Sequence, residues 1–444
     1  MTHALTTTKH TNYFVTFLAG LSPILLIGGT IYYFVSKAPV ETDPALRIAI
    51  RLIMTFLIIL IIRYFCILWF GYLKHIEEKL DDSDISDFSP PVTILVPAYN
   101  EGPVIQSALR YLLDLNYPAY EILVIDDGSS DDTYALASEL EGRYGDVTLR
   151  VVSKKNAGKA NALNTGISLA RNPFVVCMDG DTRLSRDVLY YGMRHFRNPR
   201  IGAVSGNVKV SNRNNLWTKL QALEYIVFMN GIHRAMAYFN APNIIPGPLG
   251  IFRRDMMIEL GGYDTDTYAE DCDLTLKILA SGWHITTDDR ALAYTEVPEN
   301  LNDLIKQRYR WTRGILQALR KRAAWLAWPK MGLPVWIGYV SLYFEGMIWP
   351  PLNVAGNLFF AITALRAGVA SHVFYWWVLF TLLDIGTALF MIMMEEEDLS
   401  LAPYAAVSRF FFISMIDVSK VLATIEEFLN VEMNWGKLDR VGRI

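Results

Sequence analysis

The chain has 444 residues, with 41 Lys+Arg against 45 Asp+Glu, a net charge of −4 that argues against a polybasic nucleic-acid binder. Charged residues are only 19% and apolar residues 52%, with mean hydropathy +0.22, which argues against a disordered chain and is slightly high for a soluble one. Three cysteines far apart in sequence, Cys66, Cys177 and Cys272, supply neither a disulfide framework nor a CxxC metal site, so reduced thiols are expected, and no period of a repeat protein is present.

In chain order, the first element is an uncharged apolar run over residues 12–35. A second run over 48–73 is interrupted only by Arg51 and Arg63. Each exceeds the roughly 20 residues a helix needs to cross a bilayer. A cleaved signal peptide is the alternative for the first, but its apolar stretch is too long and no clean small-residue cleavage site follows. Residues 1–84 therefore read as an N-terminal transmembrane hairpin. Residues 85–325 read as a soluble α/β domain, and residues 326–444 as a second membrane segment. In that last segment, 333–365 carries Glu345 as its only charge before Arg366 and is split by Pro350-Pro351. The run 373–394 contains Asp384, and 404–423 contains Arg409, Asp417 and Lys420.

The stretch Lys306 to Lys330 holds eight cations and no acid. The positive-inside rule places this side in the cytoplasm. Two leading crossings then put the N-terminus inside as well. The tail with Lys437, Arg440 and Arg443 needs an even number of later crossings, which suits two crossings or a broken helix around Pro350-Pro351.

Within the soluble part, Val92–Val96 is a strand, followed by a helix to about Leu113. Tyr120–Ile125 is a strand, Asp131–Tyr144 a helix and Val147–Val152 a strand. Ala160–Ala170 is a helix and Phe174–Met178 a strand. Such alternation predicts a mainly parallel sheet covered by helices. Ligands then bind beyond the carboxyl ends of the strands. Three polar clusters fall there: Tyr99-Asn100-Glu101, Asp126-Asp127 and Asp179-Gly180-Asp181. No GxGxxG and no GxxxxGK[ST] occurs, which argues against a dinucleotide fold or a P-loop.

Asp179-Gly180-Asp181 places two carboxylates two residues apart with a glycine between. They can face one hard cation, Mg²⁺ or Mn²⁺, that also meets phosphate oxygens. The bland alternative is a solvated turn. Glu270-Asp271-Cys272-Asp273 opens a helical pattern and reads either as ordinary N-terminal acid capping or as the seat of a general base. Gln307, Arg310 and Trp311 stand at i, i+3, i+4 and share one helix face. There a guanidinium for phosphate and an aromatic plate for a sugar ring point the same way. An interfacial helix with a Trp anchor is the competing reading. Residues 214–238 read as another such helix, with Leu216, Leu220, Leu223 and Val227 in a stripe.

Taken in order, PAYNE (97–101), DDGS (126–129), NAGKANALN (156–164), DGD (179–181), GPLGIFRR (247–254), AEDCD (269–273) and QRYRW (307–311) resemble the processive, membrane-embedded family-2 glycosyltransferases. The resemblance covers about residues 90–315. Within that family the chain looks most like the bacterial poly-β-1,6-N-acetyl-D-glucosamine synthases, through Gly202–Asn207, Lys219–Tyr225 and the membrane layout. It is also similar to hyaluronan and chitin synthases, at Gly247-Pro248-Leu249 and Trp435-Gly436-Lys437-Leu438, and more distantly to cellulose synthases. No cyclic-dinucleotide-binding barrel is expected after residue 424.

The resemblance implies an α/β GT-A-type nucleotide-sugar transferase domain, cytoplasmic, inserted between transmembrane helices of a multi-pass plasma (inner) membrane protein. It implies that Tyr99, Glu101 and Asp126 or Asp127 bind the nucleotide, that Lys159 lies near the diphosphate, and that Asp181 and Asp179 hold a divalent cation. Asp271 would be the catalytic base, with Gln307, Arg310 and Trp311 on the acceptor and diphosphate. The expected activity is processive, inverting synthesis of a β-linked polysaccharide from a UDP-sugar, coupled to translocation. UDP-GlcNAc and poly-β-1,6-N-acetyl-D-glucosamine are favoured over hyaluronan, chitin or a cellulose-like product, and over a non-processive lipid-linked sugar transferase. Expected partners are the UDP-sugar, the growing polysaccharide, the lipid bilayer and a small membrane subunit, with no nucleic acid.

Glu345 and Asp384 are candidates for a polymer channel, with Tyr343, Trp349, Asn353 and Asn357 in the same spans, because ionisable groups inside a membrane face a bundle interior or a cavity. Pairing of Glu345 with Arg51 or Arg63 for packing is the alternative. A pure transporter leaves the soluble domain unexplained, and a scaffold with a dead transferase fold leaves the intact acidic clusters unexplained.

Overall fold

The computed structural model describes residues 44–79, 88–324, 332–366 and 370–431. The apolar run 12–35 and the tail with Trp435, Lys437, Arg440 and Arg443 lie outside the described residues.

The chain enters on a long helix, α1 (Pro44–Lys79), and then builds a nine-stranded sheet. Strand β1 (Val92–Ala98) leads to α2 (Gly102–Leu113) and β2 (Tyr120–Asp126). A short α3 (Thr133–Ser138) precedes β3 (Gly142–Tyr144) and β4 (Val147–Ser153). Helix α4 (Lys159–Leu169) follows, then β5 (Phe174–Cys177), β6 (Thr182–Leu184), α5 (Val188–Met193) and β7 (Ile201–Val210). After a helical excursion come β8 (Gly250–Arg253), α8 (Arg254–Glu259), α9 (Glu270–Ala280) and β9 (His284–Thr295), the excursion itself being α6 (Leu216–Glu224) and α7 (Gly231–Ala237). The strand order is β3-β4-β2-β1-β5-β8-β7-β9-β6.

The apolar runs at β1 and β2 have no polar alternation because both faces of these strands are covered. Their period of two sorts side chains into two cores. Ile94, Val96, Ile122 and Val124 pack with α2 and α5, while Leu95, Leu123 and Ile125 pack with α4, α8 and α9.

Two expectations need correction. The sheet is mixed: β1, β2, β4 and β5 pair in parallel, but β8 is antiparallel to both β5 and β7. The excursion between β7 and β8 leaves and returns at one end of the sheet, so the chain re-enters reversed. The helix expected over Asp131–Tyr144 stops at Ser138. Residues 142–144 form an edge hairpin with β4 instead, with Tyr144 opposite Val147. Gly145, at φ +65°, supplies the left-handed turn that a two-residue hairpin loop requires.

Beyond β9 the chain forms α10 (Leu301–Arg322), α11 (Leu333–Tyr343), α12 (Trp349–Arg366), α13 (Ala370–Met394) and α14 (Ser414–Phe428). The break expected at Pro350-Pro351 is a π-turn just before them, Phe344–Ile348, and the prolines occupy the first turn of α12. Two further π-turns occur at Tyr225–Asn230 and Ser408–Ile413. By length and apolarity, one described helix segment, Ile58–Glu78, suffices to cross a membrane; the pair Leu399–Val407 and Phe411–Phe428, bent by 63°, would make a second.

Polar bonds tie α1 and α7 to the sheet and the bundle. Arg234 on α7 donates to Asp289 at 2.8 Å and to Glu395 at 2.5 Å, while the Thr287 hydroxyl donates to Glu78 at 3.1 Å. Higher up α1, Arg63 grips Glu345 through two bonds of 2.7 Å. Tyr64 donates to Asp384, which also accepts from Arg409.

Candidate active site

The parallel strands end on one side of the sheet, and each end is shaped to project side chains beyond it. After β1, Asn100 adopts a left-handed turn at φ +54°, where Asn is tolerated. Its Oδ1 accepts from the Ser130 N–H at 2.8 Å, which locks the turn and sends Tyr99 and Glu101 outward. After β2, the Asp127 carboxylate accepts from the Gly158 N–H at 2.7 Å, from the Ala157 N–H and from the Lys154 ammonium at 2.6 Å. It therefore pins the loop before α4 and directs Lys159 inward.

Lys159 is the hinge of the site. Its Nζ lies 2.6 Å from Asp179 Oδ1 and 2.9 Å from Glu270 Oε1, joining the turn after β5 to the start of α9. Burial pulls the Lys159 ammonium down, but Asp179, Glu270 and Asp271 outweigh it and raise it, so it stays charged. Gly247 lies against this pair: a Cβ there would come within 2.8 Å of Lys159 Nζ and 3.2 Å of Asp179. Burial, with Glu270 alongside, pushes the Asp271 carboxyl up to about 6, against the opposing pull of Lys159. A carboxyl near that value is poised to accept a proton at neutral pH.

Helix α10 forms the opposite wall. Gln307, Arg310 and Trp311 all face the cavity. Arg308 is buried, donates to Glu224 at 2.6 Å, and stacks with its guanidinium 4.3 Å from the Trp311 ring centroid.

These walls enclose a cavity of about 1650 Å³. That exceeds the roughly 300–1,000 Å³ of an ordinary small-molecule site. It runs from Tyr99, Glu101, Asp127, Lys159, Asp179, Asp181 and Asp271 past α10 to Arg63, Glu345, Trp349, Asn353 and Asp417 in the bundle. All three π-turns contribute wall residues: Tyr225 and Phe228, Glu345, and Arg409 and Phe412. Widened turns of this kind re-aim side chains without breaking a helix.

Four expected residues stand off the cavity. Asp126 is buried behind the wall, accepting from the Ser129 N–H at 3.2 Å and the Ser153 hydroxyl at 2.8 Å, so of the pair only Asp127 reaches the cavity. Asp384 sits in the Tyr64–Arg409 cluster around a separate small void. Tyr343 lies off the cavity, and Asn357 donates to Ser414 at 3.1 Å. Glu345 lines the cavity and pairs with Arg63, the pairing weighed as its alternative.

Sequence reasoning missed Glu270 as the partner of Lys159, Gly247 as the close wall, and Arg308 with Glu224 beneath Trp311. The first two lay inside quoted motifs; the Arg308–Glu224 pair spans 84 positions and left no local signal.

Asp179 and Asp181 have the chemistry a hard divalent cation takes: both are carboxylates bordering the cavity, Asp179 being met by one chain cation, Lys159, at 2.6 Å. A second acidic group, Asp264, Asp266 and Asp273, has its oxygens within 4.8 Å of one another. It is already bridged by Lys321, which meets all three, and by Arg322, so cations of the chain fill that role.

The sequence profile of the glycosyltransferase like family 2 matches residues 90–314. The chain belongs to this family. A poly-beta-1,6-N-acetyl-D-glucosamine synthase of Staphylococcus aureus strain COL is 34% identical over 250 residues, covering 56% of this chain and 60% of the relative. The corresponding Staphylococcus epidermidis synthase is 36% identical over 226 residues, covering 50% and 54%. The chain thus spans about six-tenths, or less, of the length of these curated relatives. Among solved structures, the mannosyltransferase PcManGT from Pyrobaculum calidifontis, in complex with GDP-Man and Mn²⁺, superposes with a TM-score of 0.58 at 23% identity, over 87% of this chain and 99% of that one. That likeness gives the fold, a GT-A-like glycosyltransferase fold with a mixed sheet.

Proposed function

We propose that the protein synthesises a β-linked polysaccharide processively from a UDP-sugar, with inversion, and passes the product through its own membrane bundle. Poly-β-1,6-N-acetyl-D-glucosamine as product follows the named relatives, and UDP-GlcNAc is the donor such a product calls for. The observation that carries the reading is the single cavity joining the Lys159 carboxylate cluster, the Gln307-Arg310-Trp311 face and the bundle wall at Glu345.

In this reading Tyr99 stacks on the uracil and Asp127 bonds its edge, with Glu101 beside them. Lys159 approaches the diphosphate. Asp181, with Asp179, would hold Mg²⁺ or Mn²⁺, which would supply positive charge to offset that of the leaving diphosphate. Gln307 and Arg310 close over the diphosphate, and Trp311 presents the acceptor sugar. Asp271 takes the proton from the acceptor hydroxyl as that oxygen attacks the anomeric carbon. The new glycosidic C–O bond forms as the C–O bond to the diphosphate breaks. One displacement inverts the centre, so no second carboxylate nucleophile is needed, unlike a retaining glycosidase.

Residues 1–84 act as a membrane hairpin, 85–325 as the cytoplasmic catalytic domain and 326–444 as the translocating bundle, in the plasma (inner) membrane. A small membrane subunit is a compatible partner. The test supplies purified protein with UDP-GlcNAc, UDP-glucose and UDP-glucuronate separately and digests any product with linkage-specific hydrolases. UDP release with polymer from UDP-GlcNAc, cut by a β-1,6-specific hydrolase, is expected. Addition of one sugar to a lipid would replace this reading by a non-processive transferase.

A further inference from the structure

Helix α10 meets the loop that presents Asp271 at an unusually close approach. A Cβ at Gly314 would lie 2.6 Å from the Ala269 nitrogen and 2.7 Å from the Tyr268 carbonyl carbon. One turn further along, Gln317 Oε1 accepts from the Tyr268 N–H at 3.2 Å. The other end of that amide, Nε2, donates to Glu427 Oε2 at 3.3 Å. Glu427 also accepts from Arg313 Nε at 2.6 Å, and Arg313 Nη2 donates to the Val431 carbonyl at 2.6 Å. Beside it, Glu426 accepts from the Tyr309 hydroxyl. Both glutamates sit on the last turn of α14, the last described helix.

The chemistry of these groups fixes the direction of the chain of bonds. An ionised carboxylate accepts and cannot donate. Glu427 therefore turns the Gln317 NH₂ towards itself and leaves the Gln317 carbonyl for the Tyr268 N–H. Arg313 is 5% exposed, so its charge is desolvated and depends on Glu427. We propose that Glu427 is a positioning residue for the transfer step. Through Gln317 it holds the loop before Asp271, and through Arg313 it holds the acceptor helix. The end of the bundle thereby sets the spacing between base and acceptor. Glu427 is absent from the cavity wall. The proposal rests on the transferase reading above.

The test uses the full chain in nanodiscs with UDP-GlcNAc, measuring UDP release, polymer and free GlcNAc. Glu427→Ala and Gln317→Leu are each expected to lower kcat for polymer about tenfold, because small misplacements of reacting groups are costly, while KM for UDP-GlcNAc moves less than about twofold. The share of UDP released by hydrolysis rises, since water is not held by α10. The double variant is no worse than Glu427→Ala alone, as residues in one relay are not additive, and Glu427→Asp restores part of kcat. Losses that add, or a wild-type partition between hydrolysis and transfer, overturn the proposal. Should Glu427→Ala fail to fold, Gln317→Leu, which leaves the Arg313–Glu427 pair in place, decides it: wild-type kcat and partition overturn the relay. A wild-type chain that releases no UDP would instead overturn the transferase reading itself.

Discussion

At the sheet end of the cavity, the carboxylates of Asp179, Glu270 and Asp271 gather around Lys159, and Glu101 and Asp181 line the same cavity. In the bundle, by contrast, three pairs of opposite charge stand out among the described residues: Arg63 with Glu345, Arg409 with Asp384, and Lys420 4.0 Å from Asp417. In the first arrangement burial, and after it the like charge of Glu270, raises the Asp271 carboxyl. The second satisfies what a low-dielectric region demands, where an isolated charge is costly. Crowded like charge marks a place waiting for a cation and a substrate; matched charge marks a scaffold. Each prediction below tests whether that contrast holds.

The largest effect is expected at Asp271. Asp271→Asn keeps the shape and removes the base, so transfer should fall by about 10²–10⁴ while UDP-sugar binding by calorimetry stays nearly unchanged. Turnover close to wild type would place the acidic start of α9 on the scaffold side of the contrast.

Asp181→Ala comes next. A loss of about 10²-fold in kcat is expected, of the size seen when one group stabilising transition-state charge is removed. Nucleotide affinity should also lose its dependence on Mg²⁺ or Mn²⁺. If UDP binds equally with and without the cation in wild type, Asp179-Gly180-Asp181 is a turn and nothing more.

In the bundle, the prediction concerns stability before chemistry. Glu345→Leu or Arg63→Met alone leaves one charge unmatched and should cost about 3 kcal/mol, while the double variant recovers most of it. Proteoliposomes with UDP-sugar on the cytoplasmic face then separate packing from passage. If Glu345 also serves the channel, the double variant folds and releases UDP but delivers less polymer to the far side. Normal delivery by the double variant would leave the pair with packing alone.

The same contrast explains what the sequence could disclose. Strands β1, β2, β4 and β5 were legible because buried runs such as Val92–Val96 end in polar clusters, and a strand end is a local feature. The clusters Asp179-Gly180-Asp181 and Glu270–Asp273 and the Gln307-Arg310-Trp311 face were legible from spacing within a few residues, but singling out Asp271 as the base came from the family resemblance. The edge hairpin was misread because Thr133–Ser138 has helical character that no local rule ends before Gly142. The antiparallel β8 was missed because its direction depends on where a helical excursion of some 40 residues re-enters the sheet. Asp384 was read as a channel lining because its partner Arg409 lies 25 residues away and its other partner, Tyr64, 320 away. The π-turns are set by packing against the cavity and have no local sequence mark of their own.

The smallest effect, and the one that separates chemistry from folding, is the pH response of Asp271. The base must be ionised to accept a proton, so kcat/KM should fall about tenfold per pH unit below the Asp271 carboxyl's value, which is about 6. The stability contribution runs the other way. A free carboxyl titrates near about 4, so between there and about 6 the folded chain holds a proton at Asp271 that the unfolded chain has released. Stability from this group is thus greatest below that window and declines as pH rises through it. Acid inactivation in this range is therefore protonation of the base and not unfolding caused by it. Asp271→Asn removes the charged form that burial disfavours, so its melting temperature should exceed wild type by a few degrees at pH 8. The gap should close by pH 4, where both side chains are neutral in the fold. Thermal melts of the two proteins across pH 4–8, taken beside the wild-type rate profile, check both signs at once. A melting difference that stays flat over this range would return Asp271 to an ordinary solvated carboxylate, and with it the claim that crowded charge distinguishes this end of the cavity.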